Sequence, residues 1–262
     1  MRKLKSIATT LARGLLNSRR MTTATDFVTR NSVASLIDVR YKESTLQLAH
    51  PNPQIRSRNS TFASKEPDTL QWIESFDANS VMWDIGANVG LYSVFAAIKG
   101  HTVVAIEPSV FNLEFLVRNI VANHVNDRVS ILPIAIGKSG NGFSTLNLKS
   151  TAWGDSQNAF ATELGQSGRI EKFEIRYRIL GMELDSLQSR LGLPQPKYIK
   201  IDVDGLEPEI LESGIRILKG VMSVLVEIPT YERAEERIRD IMNSAGLKLQ
   251  GSLRRNQVWA RF

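Results

Sequence analysis

The chain contains no cysteine. That excludes disulfides, thiolate metal sites and a cysteine nucleophile, and leans only slightly toward a reducing compartment. Histidine is scarce as well, with 3 copies in 262 residues, so the commonest proton-transfer side chain is in short supply. No stretch approaches the ~20 consecutive apolar residues of a membrane-spanning helix. Acids are missing from residues 1–20, where Arg2, Lys3, Lys5, Arg13, Arg19 and Arg20 have no counterpart. Taking those 6 from the 33 basic residues leaves 27, equal to the 27 acidic ones, so the net charge of +6 belongs to the arm. The body is neutral. A nucleic-acid-binding face would carry its basic excess on the folded domain, so no nucleic-acid partner is expected.

The arm, residues 1–25, has its own pattern. At 100° per residue Leu4, Ile7, Ala8, Leu11 and Leu15 share one side of a helix, with Arg2, Arg13 and Arg20 nearly opposite. This suits an interfacial anchor on an anionic membrane or a targeting peptide, and equally a surface helix packed on the domain or frayed at the terminus. Arg13 interrupts the apolar run, against a cleaved secretory signal. The expected location is cytoplasmic, with residues 1–20 as the point of any peripheral membrane contact. Residues 26–76 mix Thr, Ser, Asn, Arg and Pro with short apolar patches. They read as a lead-in of one or two short helices, with loop at Asn52-Pro53 and Arg56 to Ser60.

From residue 77 to 262 strands and helices alternate. Ser80 to Ile85, Thr102 to Glu107, Val129 to Ile134, Tyr198 to Val203, Met222 to Ile228, Leu247 to Gln250 and Gln257 to Arg261 read as strands. Leu91 to Lys99, Asn112 to Asn123, Pro208 to Lys219 and Tyr231 to Ala245 read as helices. The fold class is therefore α/β, a doubly wound, Rossmann-like and mostly parallel sheet covered on both faces. Residues 138–182 break the rhythm. Phe143 to Leu148 and Phe173 to Leu180 suggest an inserted antiparallel pair covering a substrate.

The strongest local signal is Asp84-Ile-Gly86-Ala-Asn88-Val-Gly90, where the first strand turns into the first helix. Gly86 allows the tight turn and Gly90 lets helix and strand approach. The free N–H groups at that helix start are expected to hold a carboxylate. The GxGxxG spacing of nicotinamide binders is absent, and an acid at 84 would repel a pyrophosphate. S-adenosylmethionine carries a cationic amino group and a sulfonium and no phosphate, so an acid there suits it. Glu107 ends the second strand 21 residues after Gly86, where a carboxylate can accept both ribose hydroxyls.

DIGANVGLYS at 84–93, IEP at 106–108 followed by Asn112, Leu116 and Asn119, and KIDVDGLE at 200–207 resemble the FkbM family of S-adenosylmethionine-dependent methyltransferases. The resemblance runs from about Ser80 to about Arg261. It implies a class I methyltransferase sheet in which Asp84, Gly86, Asn88 and Gly90 line the methionine end of the cofactor. Glu107, with Pro108 beside it, would take the ribose, and Asn112 would shape the adenosine side. Members are similar in methylating hydroxyl groups, often of sugars or secondary metabolites. Val110 stands where the family usually has proline, and Asp204 where it usually has glutamate.

Methyl transfer to an alcohol needs alignment and a proton acceptor. His50, His101 and His124 lie in the lead-in or at the wrong edge of the sheet. Asp202, at a strand's carboxyl end, is the expected general base, with Lys200 and Glu207 orienting it and Asp204 and Glu227 close by. Two readings compete. Asp202, Asp204 and Glu227 are oxygen ligands suited to a divalent metal, and Glu207 can simply cap the helix starting near Pro208. Trp153, Asp155 and Ser156 can contact a sugar, or Trp153 can be plain packing. The expected acceptor is a small molecule or glycan. Other acceptor classes (protein, nucleic acid, nitrogen) and a non-catalytic cofactor-binding module are the rivals. The oligomeric state is not encoded in any feature of the sequence.

Overall fold

The computed structural model describes residues 35–138 and 140–261, so the basic arm lies outside the described residues. An antiparallel hairpin, β1 (Leu36–Tyr41) and β2 (Ser44–Ala49), comes first. Leu46 and Leu48 are fully buried between exposed Thr45 and Gln47, a period of two that marks a half-buried strand. The expected loop at 52–60 is instead the start of α1 (Pro53–Lys65). Asn52 accepts a hydrogen bond from the Ile55 N–H at 2.8 Å and Pro53 takes the first helical position. Asn-Pro is a turn signal and also a helix start, and here the cap decides it. α2 (Pro67–Glu74) follows, and its Trp72 donates to Ser223 Oγ across the core at 2.9 Å.

Next come β3 (Val81–Ile85), α3 (Leu91–Ile98), β4 (Thr102–Ile106), α4 (Val110–Ala122) and β5 (Val129–Leu132). The inserted region supplies β6 (Ala135–Ile136), β7 (Gly142–Leu148), β8 (Ala159–Phe160) and β9 (Ile175–Met182), a separate sheet in the order β6-β9-β7-β8. Its centre is the expected antiparallel pair, β7 with β9, from Gly142↔Gly181 to Leu148↔Ile175. The chain then runs through α5 (Leu184–Leu191), β10 (Tyr198–Ile201), α6 (Glu207–Glu212), α7 (Ile215–Leu218), β11 (Ser223–Glu227), α8 (Ala234–Ser244), β12 (Lys248–Leu253) and β13 (Asn256–Ala260). The expected single helix from 208 to 219 is thus two. Ser213 turns its carbonyl and hydroxyl to the Asp185 and Leu184 N–H groups, while the Asp185 carboxylate accepts from Arg216 and Ile217 N–H. That reciprocal capping interrupts the helix.

The main sheet has the order β12-β13-β11-β10-β3-β4-β5. β11, β10, β3, β4 and β5 run parallel, and β13 lies antiparallel to both β11 and β12. Successive strand residues serve opposite faces. Trp83, Val104, Ile199 and Val224 pack with α5 to α8, while Met82, Val103, Tyr198 and Leu225 pack with α2 to α4 and the hairpin. The lead-in therefore shares a core with the sheet. Winding reverses between β3 and β10, which opens a crevice beyond the carboxyl ends of these strands. Among the described residues no helix is long and apolar enough to cross a membrane.

Candidate functional site

Sheet order fixes the order of side chains along the crevice: Glu107 after β4, Gly86 after β3, Asp202 after β10 and Glu227 closing β11. Gly86 (φ +83) and Gly90 (φ +82) are both left-handed, and a Cβ at Gly86 would overlap the Asp202 carbonyl oxygen. Substituting Gly86 by alanine should therefore force β3 and β10 apart. The expected loss is about 2–5 kcal/mol, combining strain and overpacking, read as a lower midpoint of urea unfolding. An unchanged midpoint would contradict the close approach.

The N–H groups of this turn are not free. Gly86 and Ala87 donate to the Ile106 carbonyl, Asn88 to Glu107 Oε2, Val89 to Asn88 Oδ1 and Gly90 to the Ala87 carbonyl. The expectation that N–H groups at the turn hold a carboxylate is corrected for residues 86–90, because the turn closes on itself. Glu107 is the bracket. It accepts from Asn88 N–H and Ser109 N–H, each at 2.8 Å, and from the Asn112 amide at 3.3 Å. Burial pushes it up to about 7 against those donors. Three of its four acceptor positions are taken, so one lone pair on Oε2 is open and the long Asn112 contact is the easiest to exchange. Pro108 lines the crevice beside it, and Asn112 otherwise holds the insertion by donating to the Asp155 carbonyl and accepting from Gly154 N–H. Asn88 donates to the same Asp155 carbonyl.

Asp84 does not face the crevice. It is 1% exposed, takes the Ser93 hydroxyl at 2.6 Å and lies 3.8 Å from Lys200 Nζ. Lys200, 2% exposed, donates to Asp202 Oδ2 at 3.1 Å and sits over the Tyr92 ring. Burial alone would lower the Lys200 ammonium, but Asp202, Asp84 and Glu66 outweigh it and raise the value. The cation is therefore permanent, and Asp84 reaches the crevice only through it. Against the cost of burial, Lys200 holds Asp202 below the usual carboxylate range. The neighbouring Glu227 is pushed up to about 8, first by burial and then by the Asp202 charge. Two carboxyl groups side by side with their affinities pushed apart form an acid–base pair that holds one proton near neutrality.

Glu207 is wholly buried and accepts from Val203 and Gly205 N–H, each at 2.9 Å, so it braces the turn carrying Asp204 and does not reach the crevice. Asp204 does line it and takes the Gln157 N–H at 2.6 Å. Among the described residues no three acidic or histidine side chains are grouped to hold a metal ion, so Asp202, Asp204 and Glu227 do not make a metal triad. Trp153 packs on Phe115 with ring centroids 5.1 Å apart, the packing role.

Several wall residues carry no sequence signal. Arg58, Lys65 and Glu66 come from the lead-in, Gln166 and Phe160 from the insertion, and Arg255 from the turn between β12 and β13. Asn52, Gln54 and Arg58 donate to the carbonyls of Trp153 and Gly154, so α1 clamps the insertion beside the glycine turn. Ile134, Ile136, Leu146 and Phe160 make the far end apolar. The donor set fits S-adenosylmethionine: an apolar end for adenine, Glu107 for the ribose, and Glu66 and Asp202 for its cationic end.

Glu107, Glu207 and Glu227 stand at about 7, 8 and 8 in the fold against 4.5 in the unfolded chain. Between these limits the folded protein holds protons the unfolded chain has released. The stability they give is complete below 4.5 and is lost as the pH rises through 7 and 8, at up to ~1.4 kcal/mol per pH unit for each group. The melting temperature of the free protein should fall from pH 5 to pH 8; a rise across that range would contradict these environments.

Three comparisons place the chain among known proteins. The methyltransferase FkbM domain matches residues 84–249. Hexuronic acid methyltransferase AglP of Haloferax volcanii is 25% identical over 166 residues, 62% of this chain and 62% of that protein. The match thus spans less than two thirds of the relative's length. Among solved structures, the precorrin-6y C5,15-methyltransferase of Geobacter metallireducens is 14% identical, with 75% of this chain and 87% of that one covered at a TM-score of 0.46. Trm5b of Pyrococcus abyssi is 15% identical, with 86% and 54% covered at a TM-score of 0.42.

Proposed function

The chain belongs to the FkbM methyltransferase family, and we propose that it methylates a hydroxyl oxygen of a sugar, within a glycan, glycolipid or related metabolite, from S-adenosylmethionine. When bound, that cofactor supplies a methyl group already activated on a sulfonium. Glu107 holds the ribose hydroxyls from the bracket it forms between Asn88 and Ser109. The apolar wall of Ile134, Ile136, Leu146 and Phe160 takes the base, and Glu66 and Asp202 face the cationic end.

The observation that carries the reading is the pair Asp202 and Glu227, closing adjacent strands one position beyond the glycine turn. Lys200 fixes the charge on Asp202, Glu227 keeps the shared proton, and Gln166 and Arg255 hold Glu227 at 2.9 and 2.6 Å. The pair receives the proton of an acceptor hydroxyl once its own proton has left. A sugar acceptor is supported by the name of the archaeal relative and by a crevice rimmed with amide and guanidinium donors. The test is transfer of labelled methyl from S-adenosylmethionine to a panel of glycans and glycosides. Alkali-stable label on sugar is the expected result; label found only on protein, nucleic acid or amines would overturn the acceptor class. Peripheral membrane contact through residues 1–20 belongs to the same proposal. Sedimentation with anionic liposomes should weaken when residues 1–25 are removed, and no difference would remove the arm from it.

A further inference from the structure

Hydrogen-bonding capacity is spread unevenly around the crevice. The carboxylates are occupied: Glu66 by Tyr92 and Lys65, Glu107 by three donors, Asp204 by Gln157, and Glu227 by Gln166 and Arg255. Two arginines are not. Arg58 uses Nε on the Gly154 carbonyl at 3.1 Å, which leaves both terminal nitrogens without a protein partner among the described residues. Arg255 gives one terminal nitrogen to Glu227 at 2.6 Å, and its other donors are unpartnered there too.

Both are held in place by their surroundings. The Nε bond fixes the direction of the Arg58 guanidinium on α1, and the Arg255 carbonyl takes the Ile228 N–H at 2.7 Å, which ties its turn to the end of β11. They approach the same part of the crevice from different elements, near Asp204, on whose carboxyl both act electrostatically without forming an ion pair. A guanidinium fork aimed at solvent from an anchored stem matches a carboxylate with little ordering cost. At neutral pH Glu227 carries a proton, so the guanidinium beside it is not fully neutralised by its neighbour.

We infer that Arg58 and Arg255 bind an anionic group of the methyl acceptor, so that the acceptor is an acidic sugar carrying a carboxylate near the methylated position. This rests on the reading of the crevice as a methyl-transfer site. The anion would enter with the acceptor and stand beside the acid–base pair, which places one sugar oxygen in reach of Asp202.

The test is calorimetry on the full chain saturated with S-adenosylhomocysteine, comparing methyl glucuronide with methyl glucoside. The acidic glycoside should bind on the order of tenfold or more tightly. Its advantage should shrink as salt rises and disappear in both Arg58→Gln and Arg255→Gln. S-adenosylhomocysteine should bind both variants as it binds the parent, which also shows that they fold. No advantage for the acidic glycoside, including no binding of either, overturns the inference, as does an advantage that survives both substitutions. If Arg58→Gln weakens S-adenosylhomocysteine but not 5′-methylthioadenosine, which lacks the carboxylate, the cations serve the cofactor and the inference also fails. Failure of the parent protein to bind S-adenosylhomocysteine would remove the methyl-transfer reading itself.

Discussion

Glutamine in place of Glu227 should lower turnover by ~10²–10⁴ and abolish the pH dependence of the rate near 8. Lys200 lies 3.1 Å from Asp202 and holds that carboxylate below its ordinary value. A lone Asp202 is therefore a weak base for an alcohol proton. The pair is a better one, because Glu227 gives up its proton only at about 8 and the doubly ionised pair then regains it from the substrate. In the parent protein kcat should rise as the pH passes through about 8 and level off above it. The glutamine variant keeps the size of the wall and, on its single carbonyl oxygen, the contact from Gln166 at the expense of that from Arg255, but it has no second charge to raise the affinity of the site. Its residual rate should be low and flat with pH. Cofactor binding, measured by calorimetry with S-adenosylhomocysteine, should be retained. A variant with the parent rate and pH profile would end the assignment of this pair as the base.

Much of this site was legible in the sequence because it sits at strand ends. Val81 to Ile85 and Thr102 to Ile106 are five-residue, mostly apolar segments stopped by Gly86 and Glu107, and a parallel sheet brings such ends together whatever lies between. Asp202 and Glu227 follow by the same reasoning. Direction was harder to read than position. Asp84 is the next-to-last residue of β3 and points under α3 to Ser93 and Lys200, because strand side chains alternate between two covered faces and the crevice opens only beyond the strand ends. The use of the turn N–H groups by Ile106 and Glu107 depends on β4 lying alongside, which no local pattern encodes. Arg58, Glu66 and Arg255 were illegible for another reason: they converge from α1, the α1–α2 junction and the last hairpin, and only the packed core sets their distance from Asp202. The hairpin at 36–49 did leave a signal, the alternation of Leu46 and Leu48 with polar neighbours.

Replacing Glu107 by glutamine should weaken S-adenosylhomocysteine by ~10²-fold or more. Hydrogen bonds to a charged acceptor contribute about 1.5–3 kcal/mol each, and every 1.4 kcal/mol is tenfold. Glutamine has one acceptor oxygen, and its NH₂ would meet the N–H of Asn88 or of Ser109, donor against donor, so the bracket itself loosens. Binding in the parent should also depend on pH in a defined direction. Burial holds the free carboxyl at about 7. Ribose hydroxyls donate to the ionised form, so below 7 uptake of the ligand must expel the proton, and affinity should fall by up to tenfold per pH unit toward acid. Above 8 it should be flat. Calorimetry in two buffers of different ionisation heat counts that proton directly at pH 6, and the count should drop to zero in the glutamine variant. Binding that is indifferent to pH between 5.5 and 8, with glutamine at 107 as good as glutamate, would mean that the ribose is held elsewhere. The bracket across Asn88 and Ser109 would then be only a fastening of the glycine turn.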